Sequence, residues 1–584
     1  VRGSYPYGIA LMGGIFQTWL YDGDPFIGLD FPQSIENIRR RLVDDPQIFQ
    51  KMTRQWFLDN AHRVLAIMEP DADFNEKKKQ AYQKKMADLK SSFPPAELER
   101  INVQAKALKE FQIQQDSPEA AATLPKLKIE DIPKAIETIP TQRSVIADVP
   151  LLEHDLFTNG IAYVDLAFDV ADIPEDLQLY LPLLGKIIAG MGAAGLSYEE
   201  MAKRIALKMG GFGYNLNTGF TARGDGNWQK MIFSFKTLYR NLPEAIDIIS
   251  DIICSGDLSN EARMRDLISE RKNNLQSAIV PSGHLFAKMA AGAALTLPAY
   301  RDEQWHGRTQ LKFVQKTAGN FTSSKQDLRD KLEVLRKILF NKNNLVMNFT
   351  ADEEGLKIAR ENIVNFLDKL PKLSTATMKE NTALTPVSAG ISIPTQVSYV
   401  AYVLKTPPYT DPASPLLLLS ARELSNNYLY KHIRVQGGAY GGMSSFDASM
   451  GLFSFLSYRD PHIAETLQVF KDAQDFYSRN EIAPDDMEKA IISAIGMIDK
   501  PSDPASRGYT ALMRSFADIQ DDMRQKFRDN ILSATPRKLK NTLSDYFSQA
   551  PKSAAVAVYS APEKLEEANK QLEEKLVIES IFEG

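Results

Sequence analysis

Hydrophobic and polar residues alternate along two distant stretches of the chain, and each stretch opens the same order of predicted elements. In the earlier stretch, alternation over Ala162–Val170 predicts a strand, because successive side chains of a strand point to opposite faces. Apolar and 3.6-residue patterns then predict helices over Leu179–Ala189 and Tyr198–Met209. The order ends with a strand around Phe233-Ser234-Phe235 and with two helices, Leu242–Cys254 and Ser259–Ile279.

The later stretch repeats this order. It begins with a predicted strand over Gln396–Leu404 and a helix over about Ser414–Arg434. It continues with a strand around Phe453-Ser454-Phe455 and with two helices, Ile463–Ser478 and Pro484–Ile498. The two Phe-Ser-Phe tripeptides are 220 positions apart, and the glycine pairs that follow helices, Gly210-Gly211 and Gly437-Gly438, are 227 apart. We interpret the two stretches as copies of one structural unit.

Each copy closes with a short strand and then an acidic helix. The closing strands are predicted over Asn344–Ala351 and Ala554–Ser560. His62–Glu69 has the same pattern and predicts a third closing strand. Residues 1–73 are therefore interpreted as the C-terminal part of an incomplete unit. Val1 is not a start methionine, so we expect it to mark a cut.

Between the partial unit and the first complete copy, the sequence predicts a helical hairpin. Charged, glycine-free segments, Asn75–Ser92 and Ala96–Gln115, flank Phe93-Pro94-Pro95, and proline ends a helix. The predicted fold is α+β, with repeated units of an antiparallel sheet that carry helices on one face, plus the hairpin linker. The predicted domains are 1–73 (incomplete unit), 74–142 (hairpin and linker), 143–385 (first complete copy) and 386–584 (second complete copy).

Composition narrows the class of protein. The chain of 584 residues has 69 Lys and Arg against 74 Asp and Glu, a net charge of −5, which argues against a nucleic-acid binder. The longest apolar run, Ile187–Leu196, is far shorter than the roughly 18 residues that cross a bilayer. The single cysteine, Cys254, excludes an intramolecular disulfide and a zinc site with two thiolates, and it fits a reducing compartment.

Familiar catalytic motifs are incomplete in this sequence. None of the six histidines has the spacing of H-E-x-x-H or H-x-x-E-H. The nearest case is His462-Ile463-Ala464-Glu465-Thr466, which has Thr where the second His is needed, so His462 is interpreted as a helix-start residue. Gly190–Gly195 matches G-x-G-x-x-G, but it follows a predicted helix and not a strand, which favours an interhelical turn.

One cluster has two interpretations. Arg434 lies at a predicted helix end, Gly437 and Gly438 follow, and Tyr440 comes six residues after the arginine. In the structural interpretation, Arg434 complements the helix dipole and Tyr440 belongs to the core. In the functional interpretation, both side chains donate hydrogen bonds to a polarised carbonyl oxygen, and the glycines let a peptide backbone approach. The earlier copy has Lys208 and Tyr214 at comparable places.

This cluster, together with Leu452–Pro461, resembles the last unit of the presequence-protease and falcilysin branch of the pitrilysin/insulysin zinc metalloproteases. Leu151–Asp169, Ile393–Val400 and Asp24–Phe31 extend the resemblance along nearly the whole chain. It implies a fold like that of mitochondrial processing peptidase, with four related units in two halves. This chain would contain the end of the second unit, the hairpin, a degenerate third unit and the fourth unit.

The resemblance also implies an activity, that of a metalloendopeptidase which degrades unstructured oligopeptides enclosed between the two halves. The family holds zinc with an H-x-x-E-H helix that this sequence lacks, so zinc is expected outside this chain, and the chain alone is expected to be inactive. Arg434 and Tyr440 correspond to the family's Arg and Tyr, which bind the scissile carbonyl and stabilise the tetrahedral intermediate. Gly437 and Gly438 would lie along the substrate.

The expected partners are the N-terminal zinc-bearing half and unfolded peptides, and neither nucleic acid nor a membrane is expected. The expected compartment is the cytoplasm or an organelle matrix. An alternative hypothesis stays open, in which the chain is a non-catalytic peptide-binding or assembly subunit of the same fold.

Overall fold

A computed structural model describes residues 7–29, 31–71, 73–113, 117–373 and 384–581. The chain forms two compact units, one that ends at Leu127 and one that begins at Lys128. The larger unit contains two six-stranded sheets. We call residues 142–373 its front half and residues 384–581 its rear half.

The smaller unit is helical in its described residues. Its helices are α1 (Tyr7–Trp19), α2 (Phe31–Asp44), α3 (Ile48–Thr53, which continues as a π-helical turn over Arg54–Leu58), α4 (Phe74–Ser92), α5 (Pro95–Ile113) and α6 (Pro118–Ala122). The predicted hairpin is α4 and α5. Phe93, between them, is extended with ψ 133°, as expected of a residue before proline. Residues 114 and 115 of the predicted second helix lie outside the described residues.

The predicted closing strand His62–Glu69 is wrong. This segment has no regular secondary structure, and its apolar side chains are exposed, with Val64 and Met68 each at 95%. A strand needs a neighbouring strand to accept and donate its backbone hydrogen bonds. The described part of the smaller unit, from Tyr7 to Leu127, supplies no such neighbour.

The front half consists of one sheet and the helices around it. Its strands are β1 (Gln142–Ile146), β2 (Val149–Asp155), β3 (Ile161–Asp169), β4 (Gly211–Phe220), β5 (Asn227–Leu238) and β6 (Leu345–Ala351). Its helices are α7 (Glu175–Gln178), α8 (Leu181–Gly190), α9 (Tyr198–Lys208), α10 (Leu242–Ser255), α11 (Glu261–Ile279), α12 (Gly283–Gly292), α13 (Leu297–His306), α14 (Arg308–Gly319), α15 (Phe321–Leu339) and α16 (Glu353–Lys369). Gly190–Gly195 lies at the connection between α8 and α9, as predicted, with Gly195 at φ +81°.

The rear half repeats this architecture. Its strands are β7 (Ser388–Ser392), β8 (Tyr399–Lys405), β9 (Gly441–Asp447), β10 (Leu452–Tyr458), β11 (Ala555–Ser560) and β12 (Val577–Ser580). Its helices are α17 (Ser414–Glu423, which continues as a π-helix over Leu424–Gln436), α18 (Ala464–Arg479), α19 (Pro484–Ile498), α20 (Pro504–Phe516), α21 (Asp521–Leu532), α22 (Pro536–Gln549) and α23 (Pro562–Gln571).

The two sheets share their topology. The strand order is β1-β2-β6-β3-β5-β4 in the first sheet and β12-β7-β11-β8-β10-β9 in the second. Five positions therefore correspond, from β2 and β7 to the edge strands β4 and β9. The predicted α+β fold class is confirmed, but the sheets are not wholly antiparallel, because β2 runs parallel to β6 and β7 runs parallel to β11 and β12.

Both faces of each sheet are covered, and each half supplies one helix to the other half. In β8, Val400 and Tyr402 face the helices of the rear half, while Tyr399 and Ala401 face α12 of the front half. Conversely, Leu512 of α20 packs on the outer face of the first sheet against Leu152, Ala167 and Ile232. The sequence analysis predicted helices on one face only, because alternation within a strand does not reveal what covers its second face.

A buried polar network lies on that outer face of the first sheet. The Asp165 carboxylate accepts hydrogen bonds from Ser234 Oγ (2.6 Å) and from Asn348 Nδ2 (2.9 Å). His154 Nε2 lies 2.8 Å from Asn348 Oδ1. Burial raises the pKa of Asp165, while its two hydrogen bonds and His154 oppose the rise. The network joins β2, β3, β5 and β6 beneath α20.

Residues 128–142, which the sequence analysis grouped with the hairpin, belong to the larger compact unit and lie against its rear half. Arg528 is 1% exposed, and its Nε donates to the Pro133 carbonyl at 3.0 Å. The same guanidinium binds both Asp499 carboxylate oxygens at 2.7 and 2.8 Å. A charged side chain is buried here without loss, because its partners satisfy it.

Candidate functional site

The helix that carries Arg434 changes character along its length. α17 continues without a break as a π-helix, a conformation that often marks functional segments. Leu429 and Ile433 anchor one side of this helix in the core, and they are 0% and 2% exposed. Arg434, the next residue, is exposed, and its guanidinium lies 5.7 Å from the centre of the Tyr430 ring. The helix therefore fixes the backbone of Arg434 and leaves the charged group free to reach a ligand.

Gly437 and Gly438 form the turn that ends this helix. The Gly437 N–H donates to the His432 carbonyl (3.0 Å), and the Gly438 N–H donates to the Arg434 carbonyl (3.1 Å). Gly438 has φ +76°, which favours glycine. A Cβ at Gly437 would lie 2.7 Å from the Ile433 carbonyl oxygen. The turn thus accounts for both glycines, as expected of a helix C-cap.

Tyr440 follows the turn and immediately precedes the edge strand β9. Its N–H donates to the Tyr458 carbonyl at 3.1 Å, and its side chain is 65% exposed, so it is not a core residue. Gly442, in β9, lies against the end of the helix, where a Cβ would be 2.6 Å from Cβ of Ile433. The close approach holds the helix end and the strand edge together, with Arg434 and Tyr440 both exposed at the turn between them.

Arg459 is a further cation at this site that the sequence analysis missed. Its guanidinium lies 5.5 Å from the centres of both the Tyr440 and Tyr458 rings, a cation–π arrangement. The residue has φ +49°, which is uncommon for a residue with a side chain. The sequence signal available for it was its position directly after Tyr458 at the end of the Phe-Ser-Phe strand.

Asp460 fixes the loop that carries Arg459. It is 1% exposed, and its carboxylate accepts hydrogen bonds from the His462 N–H (2.9 Å) and from Thr466 Oγ1 (2.8 Å). Burial raises the pKa of this carboxyl, and the hydrogen bonds oppose the rise. His462 lies two residues before α18, in agreement with its interpretation as a helix-start residue.

Strand register corrects the comparison between the two copies. Phe233 pairs with Tyr214, whereas its counterpart Phe453 pairs with Phe446. Tyr214 therefore occupies the place of Phe446 and is not a counterpart of Tyr440. The connection from helix to edge strand has two residues in the front half (209–210) and four in the rear half (437–440), so the two glycine pairs are not equivalent.

The described residues contain no group of three or more His, Cys, Asp or Glu side chains that could hold a metal ion. They therefore do not fit a resident zinc ion. Among these same residues, no helix combines the length and the apolar character needed to span a bilayer.

Comparison with known proteins identifies two family matches. Residues 68–316 match the family described as associated with peptidase M16, subfamily C, and residues 389–558 match the "PreP C-terminal domain". Presequence protease 1 (chloroplastic/mitochondrial) of Arabidopsis thaliana is 28% identical over 97% of this chain and 53% of its own length. Mitochondrial presequence protease of Danio rerio is 28% identical over 95% and 56%, and protein HypA of Clostridium perfringens is 28% identical over 98% and 58%. The chain thus spans about half the length of these relatives.

Solved structures agree on the fold. A peptidase M16 inactive domain from Pseudomonas fluorescens superposes with a TM-score of 0.54 and 13% identity, over 72% of this chain and 98% of that chain. A protease from Helicobacter pylori gives a TM-score of 0.54 and 14% identity, over 72% and 99%. The predicted resemblance is confirmed, both in sequence and in architecture.

Proposed function

Because this chain matches the C-terminal part of the presequence protease branch of the M16 peptidases, we propose that it is the C-terminal portion of a zinc-dependent metalloendopeptidase that degrades unstructured oligopeptides. In this proposal the chain completes the substrate chamber and supplies Arg434 and Tyr440 to the reaction. The zinc ion and its ligands lie outside this chain. The chain alone is inactive.

The observation that carries the proposal is the exposure of two strong hydrogen-bond donors at one helix-to-strand turn. Arg434 offers guanidinium N–H groups, and Tyr440 offers a phenolic O–H. Donors held in advance where negative charge develops on a carbonyl oxygen stabilise the transition state more than the substrate. The π-helix and the glycine turn would hold the two backbones in place, so that little reorganisation is needed when a peptide binds.

The edge position of β9 supports a peptide substrate. β9 pairs with β10 on one side, and it is the last strand in the order of the second sheet. An extended peptide can bind beside such an edge through backbone hydrogen bonds, which do not depend on its side chains. In this proposal, Tyr440 directly before β9 would donate to the carbonyl of the bond to be cleaved.

The partners follow from the same proposal. They are an N-terminal zinc-bearing half, from the same gene product or a separate subunit, and unfolded peptides, but neither nucleic acid nor a membrane. Two of the relatives are named as mitochondrial, and a third comes from Clostridium perfringens. We place the protein in an organelle matrix or in the cytoplasm.

The test is a cleavage assay on the chain assembled with a zinc-bearing N-terminal half, with an unstructured fluorogenic peptide as substrate. Arg434→Ala should lower kcat by about 10²–10³, as for a lost oxyanion donor. Lys431→Ala, which removes an exposed cation from the same helix, is the matched control and should leave kcat within twofold. A change below about twofold for Arg434→Ala, with peptide binding retained, would favour the alternative of a non-catalytic peptide-binding subunit.

A further inference from the structure

A second polar cavity, separate from the Arg434 turn, lies in the front half. It has a volume of about 300 Å³ and is bounded by α8, α11, the end of α13 and the edge strand β4. Its wall includes three basic side chains, Lys186, Arg271 and His306, and the phenol of Tyr214. No proposed role of the chain has so far used this cavity, and its volume is at the lower end of the range for small-ligand sites.

The charges at this wall do not balance. Lys186 pairs with Glu270 at 2.8 Å, and His306 pairs with Asp302 at 3.0 Å. Arg271 has no carboxylate partner among the residues that the structure describes. Since arginine stays protonated at any ordinary pH, the cavity keeps one positive charge that the protein does not neutralise.

The guanidinium of Arg271 also has unused hydrogen-bonding capacity. Its Nη2 donates to the Trp305 carbonyl at 3.2 Å, which orients the planar group. Its Nε is buried, and within the described ranges it has no acceptor. A buried donor without a partner costs free energy, so an acceptor that binds here gains more than it would at the surface.

Tyr214 places a neutral donor beside this charge. Its hydroxyl donates to the Pro182 carbonyl at 2.8 Å. Burial raises the pKa of Tyr214, and the nearby charge of Arg271 opposes the rise, which agrees with the two groups facing the same space. A planar anion with two acceptor oxygens fits this set of donors, because the guanidinium fork matches a carboxylate in geometry.

We propose that this cavity is a binding site for a carboxylate group of a peptide, held by Arg271 with Lys186 and Tyr214 at its wall. The choice of a peptide as the source rests on the proposed function. The carboxylate comes either from the C-terminus of the peptide or from an acidic side chain. In both cases the site would anchor one end of a bound chain away from the Arg434 turn.

The experiment measures binding of small probes to the full chain by calorimetry and by the shift of its unfolding midpoint. N-acetylglycine carries a terminal carboxylate, N-acetylglutamic acid α-amide carries a side-chain carboxylate, and N-acetylglycinamide is the neutral control. The variants are Arg271→Gln and Arg271→Lys, with Arg265→Gln as the matched control, because Arg265 is an exposed cation on the same helix.

At least one carboxylate probe should bind ten times more tightly than the neutral amide. Arg271→Gln should weaken that binding about 10-fold to 100-fold, as for a lost charge-assisted hydrogen bond, and Arg265→Gln should not. If Arg271→Gln does not fold, Arg271→Lys, which keeps the charge but loses the fork, should still weaken binding. Equal binding of the amide, no effect at Arg271, or Arg271-dependent binding of inorganic phosphate alone would overturn the proposal.

The probes require neither cleavage nor the zinc-bearing half, so this result does not depend on the proposed catalytic role. If the carboxylate probes bind while Arg434→Ala leaves cleavage unchanged, the cavity stands and the catalytic role fails. The opposite pattern removes the cavity alone.

Discussion

The contact between α20 and the first sheet gives a prediction whose sign can be worked out. Gly508, in α20, faces Thr350 of β6, and a Cβ at this position would lie 1.8 Å from Thr350 Oγ1 and 3.2 Å from His154 Cδ2. Thr350 is 1% exposed, so its side chain has little room to move. Gly508→Ala should therefore force α20 away from the sheet and destabilise the larger unit.

Two opposing effects set the magnitude. In a helix, replacing glycine with alanine contributes about 1 kcal/mol of stability through backbone propensity. Overpacking a tight contact costs up to about 3 kcal/mol, and this contact is with a side chain of a buried strand, so we take the upper end. The difference is a net loss of about 2 kcal/mol.

The control is Gly496→Ala in α19, where an added Cβ meets nothing within 4 Å. This change should raise stability by about 0.5–1 kcal/mol. Thr350→Ala removes the clashing oxygen, so the double variant Gly508→Ala/Thr350→Ala should be more stable than the sum of the single effects by about 1–2 kcal/mol.

The measurement is urea unfolding followed by circular dichroism, with midpoints compared at a constant m value. If Gly508→Ala is as stable as the parent, or gains stability like Gly496→Ala, then α20 does not lie against β6 as described. If the double variant shows no rescue, the contact with Thr350 is not the cause.

Three further predictions concern single contacts. Arg459→Gln should lower the cleavage rate of the assembled enzyme by about twofold to fivefold, the value of an exposed cation–π contact, with an unchanged circular dichroism spectrum; an unchanged rate would remove its role at Tyr440. Burial raises the pKa of Asp165, which His154 and Tyr509 face from β2 and α20, so stability from its protonated form is present in acid and lost as the pH rises through the raised pKa. Asp165→Asn should accordingly gain stability relative to the parent as the pH rises in urea unfolding, and parallel pH profiles would contradict this. Tyr399→Phe, which removes the hydrogen bond from Tyr399 to the Val280 carbonyl between the two halves, should cost about 1 kcal/mol in the same assay, and an unchanged midpoint would show that the bond contributes nothing.

Local patterns predicted the individual elements well. The strand predicted over Ala162–Val170 is observed over Ile161–Asp169, because its alternation reports burial on one face of the sheet. The helix predicted over Tyr198–Met209 is observed over Tyr198–Lys208, where Ser197 and Glu200 form a capping box that starts the helix. Such signals lie within a few residues of the element they specify.

The errors came from features that depend on distant residues. His62–Glu69 has the composition of a strand, but strand formation depends on a partner elsewhere. The two glycine pairs look alike in sequence, yet the strand pairs that contain Phe233 and Phe453 show that the turns differ in length. The side chains of Arg434 and Tyr440 were identified by type and spacing, whereas Arg459 needs the cross-strand position of Tyr458 and a left-handed backbone that the sequence does not display.

The exchange of helices between the halves has a consequence for synthesis on the ribosome. α12 is made before the second sheet, so the apolar side chains of Tyr399, Ala401 and Val403 find their cover already present as they emerge. The outer face of the first sheet must wait for α20, which follows α16 by roughly 140 residues, or roughly 7–30 s at the usual speed of translation. That waiting face is the one that carries Asp165, Asn348 and His154, whose polarity lets water wet the nascent sheet and lowers its tendency to aggregate before its cover arrives.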